Sequence, residues 1–391
     1  MKNIENLRIL GKGKTAQALK KRFANARLFD DSDFDIFDKD SNNLTIVSPG
    51  IPPHNKLVLN SKNISSDYDL FYDEMPFSIW ISGTNGKTTT TQMCQHLLEK
   101  YDSCYGGNIG VPLSGLDSNK KIWILETSSF TLHYTKTAKP NIYILLPITE
   151  DHITWHGSFF EYQKAKLKPL ENMNENDIAI IPYEFKDFKT NAHVVYYNSS
   201  DDLCNYFKID KCKIKFNEPF LLDAIMAVIA RKIVFDDIDY DLINSYKIDK
   251  HKVEEFRDAK NRLWIDDSKA TNYDATINAL VPYFDKNIHI ILGGDDKGAS
   301  LVPLFENIKS LDIVVYAIGS NMKRIVNYCK EYNINVVECE FLEKAVKSID
   351  KNLNEASIGI LSPSAASLDQ FKSYAHRGDE FKKFVKNLSW Y

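Results

Sequence analysis

The residues best equipped for chemistry in this chain form one short run, Gly83-Thr84-Asn85-Gly86-Lys87-Thr88-Thr89. Glycines let backbone N–H groups turn toward an anion, and a helix opening just after them adds partial positive charge at its N-terminus. Lys87 has the reach to touch terminal phosphates, and the Thr88 hydroxyl suits Mg²⁺. The common phosphate loop carries a glycine at the place of Ile81, which this run lacks. The run predicts nucleoside triphosphate binding; the competing reading is a plain glycine-rich strand-to-helix turn.

Polar chemistry recurs after later apolar runs. Ile122-Trp123-Ile124-Leu125 ends in Glu126-Thr127-Ser128-Ser129-Phe130, and Asn141 to Leu146 leads into Thr149-Glu150-Asp151-His152. The C-terminal ends of parallel strands are where ligands bind in such sheets, so Glu126 and His152 read as site residues. Glu126 with Thr88 could complete an oxygen shell for Mg²⁺. His156 lacks that context and stays unassigned. The turn at Gly106-Gly107-Asn108-Ile109-Gly110 could present Asn108 to a ligand.

The elements that must position these groups alternate strand and helix. Phe77 to Ser82 reads as the strand before the loop, and Thr90 to Lys100 as the helix after it. Earlier, Leu7 to Leu10 is a strand followed by Gly11-Lys12-Gly13-Lys14-Thr15 and a helix from Ala16 to Phe23. That is the opening of a dinucleotide-type unit, although G-x-G without a third glycine also occurs in plain turns. Asp30, at the end of a second strand from Arg27, could meet ribose or base groups, or lie in a solvated turn. Leu44 to Val47 is a third strand, followed by Ser48-Pro49-Gly50-Ile51-Pro52-Pro53. Phe159 to Leu170 looks helical, with lysines 164, 166 and 168 that composition does not separate. Strands at Leu263–Ile265, Ile288–Leu292, Ile313–Ile318 and Ile358–Leu361 alternate with helices and imply another parallel sheet. The expected fold is α/β with three domains. A short Rossmann-like domain spans 1–75, a P-loop-type ATPase domain with a parallel sheet spans 76–248, and a Rossmann-like domain spans 249–391. Asp73-Glu74-Met75-Pro76 reads as the first linker.

At 391 residues, two or three domains are expected. Lys plus Arg is 49 against 53 Asp plus Glu, and the net charge of -4 argues against a general nucleic-acid binder. No apolar run is long enough to span a bilayer and no signal sequence is recognisable, so a cytoplasmic protein is expected. None of the 6 cysteines forms C-x-x-C, which favours reduced thiols over a zinc site or disulfide framework.

Taken in order, the run 83–89, Gly107-Asn108-Ile109-Gly110, Glu126-Thr127-Ser128-Ser129-Phe130, Thr149-Glu150-Asp151-His152 and Tyr162-Gln163-Lys164-Ala165-Lys166 closely resemble the Mur ligases. These are ATP-dependent amide-forming enzymes of peptidoglycan precursor synthesis. The resemblance implies that Thr88 and Glu126 hold one Mg²⁺, and that His152 and a carbamylated Lys166 hold a second. It makes Lys87, Glu126, His152 and Lys166 the catalytic four. It places Gly83, Thr84, Asn85, Gly86, Lys87, Thr88 and Thr89 on ATP, with Asp267 from the run Asp267-Ser268-Lys269-Ala270-Thr271-Asn272. Two positions depart from the family pattern. Asp223 stands where an Asn meets the adenine, and an ionised carboxylate cannot donate a hydrogen bond there. Lys252 replaces an Arg, exchanging a bidentate fork for a point charge.

Within the family, Ser48-Pro49-Gly50-Ile51, Leu292-Gly293-Gly294-Asp295 and Ser362-Pro363-Ser364-Ala365-Ala366-Ser367-Leu368-Asp369-Gln370-Phe371 look most like the D-glutamate-adding branch. By that resemblance Lys269, Thr271, Lys297, Ser367, Leu368 and Tyr374 would receive D-glutamate. Lys14, Thr15, Asp30, Gly50, Asn108 and Ser128 would hold the uridine diphosphate substrate. The implied reaction joins D-glutamate to UDP-N-acetylmuramoyl-L-alanine through an acyl phosphate, in an enzyme expected to be a monomer without nucleic-acid or membrane partners. Rival readings are a folylpolyglutamate synthetase-like ligase, a non-catalytic nucleotide switch and an NAD-dependent oxidoreductase. The switch has no use for the motifs at 267–272 and 367–371, and the oxidoreductase leaves Gly86-Lys87-Thr88 unexplained.

Overall fold

A computed structural model describes residues 6–388. The outer limits of the first and last expected segments, at residues 1 and 391, lie outside the described residues. The chain forms two compact units, residues 1–148 with 155–246 and residues 149–154 with 247–391.

The first unit holds two sheets. The smaller has four parallel strands in the order Arg27–Phe29, Arg8–Leu10, Thr45–Val47, Ile64–Ser65. The larger has six, in the order His193–Tyr197, Ile178–Pro182, Ile142–Leu145, Phe77–Ser82, Ile122–Glu126, Ser103–Gly107, again all parallel. The strands at 178–182 and 193–197 extend the sheet beyond the sequence reading.

One apolar core serves both sheets. Ile9, Leu19 and Ile46 belong to the same buried cluster as Tyr68, Trp80, Leu116 and Trp123. This shared core is why the segment 1–75 and most of the segment 76–248, apart from 149–154 and 247–248, form one compact unit. The stretch expected to link them is tied down as well. Tyr72–Glu74 is a short 3-10 turn, and Glu74 accepts a hydrogen bond from the Arg22 guanidinium at 2.5 Å.

The helix after the phosphate run begins at Lys87, three residues earlier than the sequence reading has it, and extends to Leu98. Four consecutive threonines, 88 to 91, lower its intrinsic helix preference because β-branched side chains lose χ1 freedom in a helix. Tertiary packing overrides that. Its buried face, Thr91, Cys94 and Leu98 included, packs against the helix Leu221–Phe235, which is buried from Ala224 to Arg231. Arg231 donates to the carbonyl of Leu97 at 3.0 Å, so a cation meets the negative end of this helix while its positive end faces the glycine run. Asp237 and Asp239 pair with the same guanidinium.

The second unit holds one sheet in the order Glu254–Arg257, Leu263–Asp266, Ser357–Leu361, Asn287–Leu292, Ile313–Ile318, Asn335–Glu340. The first pair is antiparallel and the others are parallel. Apolar clusters built on its two sets of side chains, Ile265, Ile290 and Val315 in one and Trp264, Ile291 and Tyr316 in the other, cover both faces with helices. Adjacent residues such as Trp264 and Ile265 fall in opposite clusters because side chains alternate across a strand. All 6 cysteines are free thiols. Among the described residues no helix is long and apolar enough to cross a membrane.

Candidate active site

In the first unit the phosphate run lies at the C-terminal end of Phe77–Ser82, with Ile122–Glu126 on one side and Ile142–Leu145 on the other. Gly83 and Gly86 have φ of 138° and 80°. A Cβ at Gly83 would stand 2.5 Å from the Leu146 Cβ, and one at Gly86 would strike the Asp223 carboxylate, so neither place admits a side chain. Gly86 caps the helix, which puts Lys87 and Thr88 in its first turn. The Lys87 ammonium folds back over the loop, donating to the carbonyls of Gly83 at 3.0 Å and Thr84 at 2.7 Å.

Sheet register brings Glu126 to this loop, because Ile81 pairs with Glu126 across the two strands. Glu126 is 3% exposed. One of its oxygens accepts from the Thr88 hydroxyl at 2.8 Å and the other from the Asn108 amide at 2.6 Å. A hydroxyl and a carboxylate joined in this way are the hard oxygen donors Mg²⁺ takes, and a cation between them would replace one hydrogen bond. The donor set therefore fits a metal at Thr88 and Glu126.

Lys166 is 1% exposed and donates to the Gly83 carbonyl at 2.6 Å. Its ammonium also lies 4.7 Å from the centre of the Tyr162 ring, one helical turn earlier. The Tyr162 hydroxyl meets Thr84 Oγ1 at 3.0 Å, so this helix braces the glycine run from below. A carbamylated lysine keeps an N–H, so the bond to Gly83 is compatible with that modification. The expected helix 159–170 is interrupted, with Phe159–Leu167 followed by Pro169–Asn172, because proline cannot continue the hydrogen-bond ladder. Asp223 sits behind the loop, accepting from the Thr90 hydroxyl at 2.8 Å, and is 5% exposed.

A cavity of about 460 Å³ opens beside this cluster, still within the first unit. Lys14, Thr15, Gly50 and Asn108 line it together with Ser48, Asp67 and Tyr68. Gly13 caps the helix Lys14–Arg22, whose N-terminus is a natural seat for phosphate. Asp30 and Ser128 are not among the lining groups. Asp30 caps the 3-10 turn Asp31–Ile36 and forms an ion pair with Lys12 at 2.6 Å. Hydrogen bonding from Lys12 and Ser32 lowers its carboxyl to about 2. Ser128 spends its hydroxyl on the N-terminus of Ser129–Tyr134, accepting from the Thr131 N–H at 3.1 Å.

The second unit carries its own polar cluster, centred on Asp151, which sequence reasoning passed over in favour of its neighbour. Asp151 is 5% exposed and meets Lys297 at 3.3 Å, the Asn272 amide at 3.3 Å and the His152 N–H at 2.8 Å. Burial pushes its carboxyl up, but Lys297, His152 and Asn272 outweigh that and hold it below the usual range. His152 has a left-handed backbone, φ 56°, and its Nε2 lies 3.6 Å from Asp151. An acid adjoining a histidine at a strand end was the available signal.

Asp267 is buried and accepts from the Ser362 hydroxyl at 2.7 Å, and burial pushes it up to about 8. The Lys269 ammonium lies 4.2 Å from the centre of the Tyr374 ring. Backbone bonds between Asp295 and Ala366 join the loop of Lys297 to that of Ser367. Arg377, which the sequence reading did not select, ties these loops to the 267–272 run, donating to the carbonyls of Ser268 at 2.9 Å and Ala365 at 3.0 Å. Ser367 is 3% exposed, whereas Leu368 is 73% exposed and points away from that shared loop core. Thr271 is half-buried, and Lys252 pairs with Asp249 at 3.2 Å.

Comparison with known proteins shows which proteins the chain resembles. The Mur ligase middle domain matches residues 81–203, the stretch that carries the phosphate run, Glu126 and Lys166. A Campylobacter jejuni protein named UDP-N-acetylmuramoylalanine--D-glutamate ligase is 51% identical over 352 residues, covering 90% of this chain and 88% of that one. A Helicobacter pylori protein of the same name is 43% identical over 417 residues, covering 96% and 98%. Among solved structures, a MurF ligase from Thermotoga maritima in complex with ADP superposes with a TM-score of 0.60 at 15% identity, covering 98% of this chain and 95% of that one. That likeness concerns the fold alone.

Proposed function

The chain belongs to the Mur ligase family, and on that premise we propose that it joins D-glutamate to UDP-N-acetylmuramoyl-L-alanine at the expense of ATP. The observation that carries the reading is the Thr88–Glu126 hydrogen bond, its carboxylate buried, at the N-terminus of the helix after the glycine run, with Lys166 lodged under the same loop. The names of the relatives support the choice of substrates.

Two carboxylate-bearing molecules do not form an amide in water without activation of one acid. In the proposed reaction the alanine carboxylate attacks the γ-phosphorus of ATP, the bond to the bridging oxygen breaks, and ADP leaves. The amine of D-glutamate then adds to the acyl phosphate carbon, loses a proton and expels phosphate. Phosphoryl transfer needs positioning and charge neutralisation more than covalent help. The N–H groups of residues 83–89 orient the phosphates, and Lys87 swings from its carbonyl partners to the γ-phosphate. Mg²⁺ at Thr88 and Glu126, with a second ion assigned to His152 and a carbamylated Lys166, would neutralise phosphate charge. Lys14, Thr15 and Gly50 take the uridine diphosphate, while Lys269, Thr271, Lys297, Ser367 and Tyr374 are assigned to D-glutamate, whose two carboxylates call for cations and hydroxyls.

We read the three sheets as three domains, 1–75 for the uridine substrate, 76–248 for ATP and 249–391 for D-glutamate, in a monomeric enzyme of the cytoplasm. The test is phosphate release from ATP with UDP-N-acetylmuramoyl-L-alanine and D-glutamate, using L-glutamate as control. Release must require both substrates and the D isomer; release that ignores either one overturns the assignment.

A further inference from the structure

The cavity beside Asn108 contains polar groups that the reaction above does not use. Tyr68 is 2% exposed and Ser48 is 7% exposed, and neither hydroxyl has a hydrogen-bond partner among the described residues. Both line the cavity, as does Asp67, which is 5% exposed. Buried hydroxyls are satisfied in the great majority of cases, so two orphans facing one cavity point to a ligand. Asp67 opens the short helix Asp67–Phe71, where its carboxylate takes backbone N–H bonds from Asp67 and Tyr68. Ser66 caps the same helix, accepting from the Asp69 N–H at 3.2 Å.

Position along the cavity selects which part of a ligand these groups meet. A diphosphate belongs over Gly13 and Lys14, which line the same cavity and offer a helix N-terminus and a cation. A carboxylate such as Asp67 repels phosphate and calls instead for a neutral donor. The Tyr68 hydroxyl points toward Gly107, where an added Cβ would stand 2.9 Å from it. Its ring is fixed by Trp80, edge to face at a centroid distance of 4.7 Å. Gly107 precedes Asn108, whose amide holds Glu126. Tyr68 thus adjoins the loop that carries Asn108, and with Asp67 it shares one cavity with the phosphate grip, where the amino sugar of a sugar nucleotide would pass.

We propose that Asp67 and Tyr68 recognise the N-acylated sugar of the uridine substrate. Asp67 accepts a hydrogen bond from a sugar hydroxyl or the acylamino N–H, and Tyr68 donates to the acyl carbonyl. The proposal rests on the substrate assignment above and adds two residues that set its specificity.

Calorimetric titration of UDP-N-acetylmuramoyl-L-alanine and of UDP alone into the wild-type, Asp67→Ala and Tyr68→Phe proteins tests it. Each substitution should weaken the sugar nucleotide about tenfold, the worth of one lost hydrogen bond, and leave UDP within about twofold. Tyr68→Phe should also melt no lower than wild type, because it removes an unpaired buried hydroxyl. Should Asp67→Ala not fold, Asp67→Asn is read instead, with a KM for the sugar nucleotide raised at least about threefold and kcat retained. Equal losses for UDP and the sugar nucleotide, or no loss for either, overturn the sugar contact. A wild-type protein that binds neither ligand overturns the substrate assignment along with it.

Discussion

Replacing Asn108 by alanine removes one of the two side-chain hydrogen bonds that hold Glu126, and it separates two roles for this asparagine. From sequence, Asn108 reads as a contact to the uridine substrate; in the structure it also orients a candidate metal ligand, at 2.6 Å. A hydrogen bond to a charged group is worth about 1.5–3 kcal/mol net. Asn108 is exposed, so water can substitute in part and the lower end, about 1.5 kcal/mol, applies. That amounts to about tenfold in an equilibrium constant. The expectation for Asn108→Ala is a Mg²⁺ half-saturation raised about tenfold in the phosphate-release assay, with kcat at saturating Mg²⁺ within about twofold of wild type. The assay is a Mg²⁺ titration at fixed saturating ATP, repeated at two concentrations of uridine substrate. An unchanged Mg²⁺ requirement, with the whole loss in the KM for the uridine substrate, refutes the orienting role.

Lys166→Ala should abolish turnover while the melting temperature shows the protein still folded; turnover near the wild-type rate would rule out a metal-holding role for this buried lysine. Gly86→Ala forces a Cβ into the Asp223 carboxylate at φ 80°, and should lower ATP affinity by at least about tenfold, read by calorimetric titration. Retained ATP affinity would show that the loop can relax around a methyl group. Asp267 titrates at about 8 in the fold against an ordinary 3.8, so the native state holds its proton more tightly than the unfolded chain does. The stability this contributes is complete below about pH 4 and is lost as pH rises toward about 8. Asp267→Asn should therefore flatten the fall of melting temperature with pH across that window, and parallel slopes in the two proteins would contradict the assignment.

Phosphate recognition was legible in the sequence because it is local. Two glycines, a lysine and a threonine need only their own backbone and the helix that follows to form the loop. The link from Thr88 to Glu126 is of another kind, since it exists only because Phe77–Ser82 and Ile122–Glu126 are neighbours in the sheet. Strand order is not written in either motif; the resemblance to a family supplied it. Where local signals were ambiguous the reading slipped in explicable ways. The loop motif reads through Thr89, which puts the expected helix start at Thr90 although the helix begins at Lys87, and Pro169 divides a helix expected to run through it. Asp67 stayed hidden because it follows Ser65-Ser66 and looks like an ordinary first-turn acid. Asp30, conspicuous as an acid at a strand end, turned out to be matched by Lys12 two residues before the expected Lys14. These cases share a cause. A residue whose partner lies in its own turn announces itself by spacing, whereas one whose partner lies across the sheet or cavity announces only its charge. In a site assembled from several strand ends, the residues of the second kind set specificity, and they are the ones a single sequence conceals.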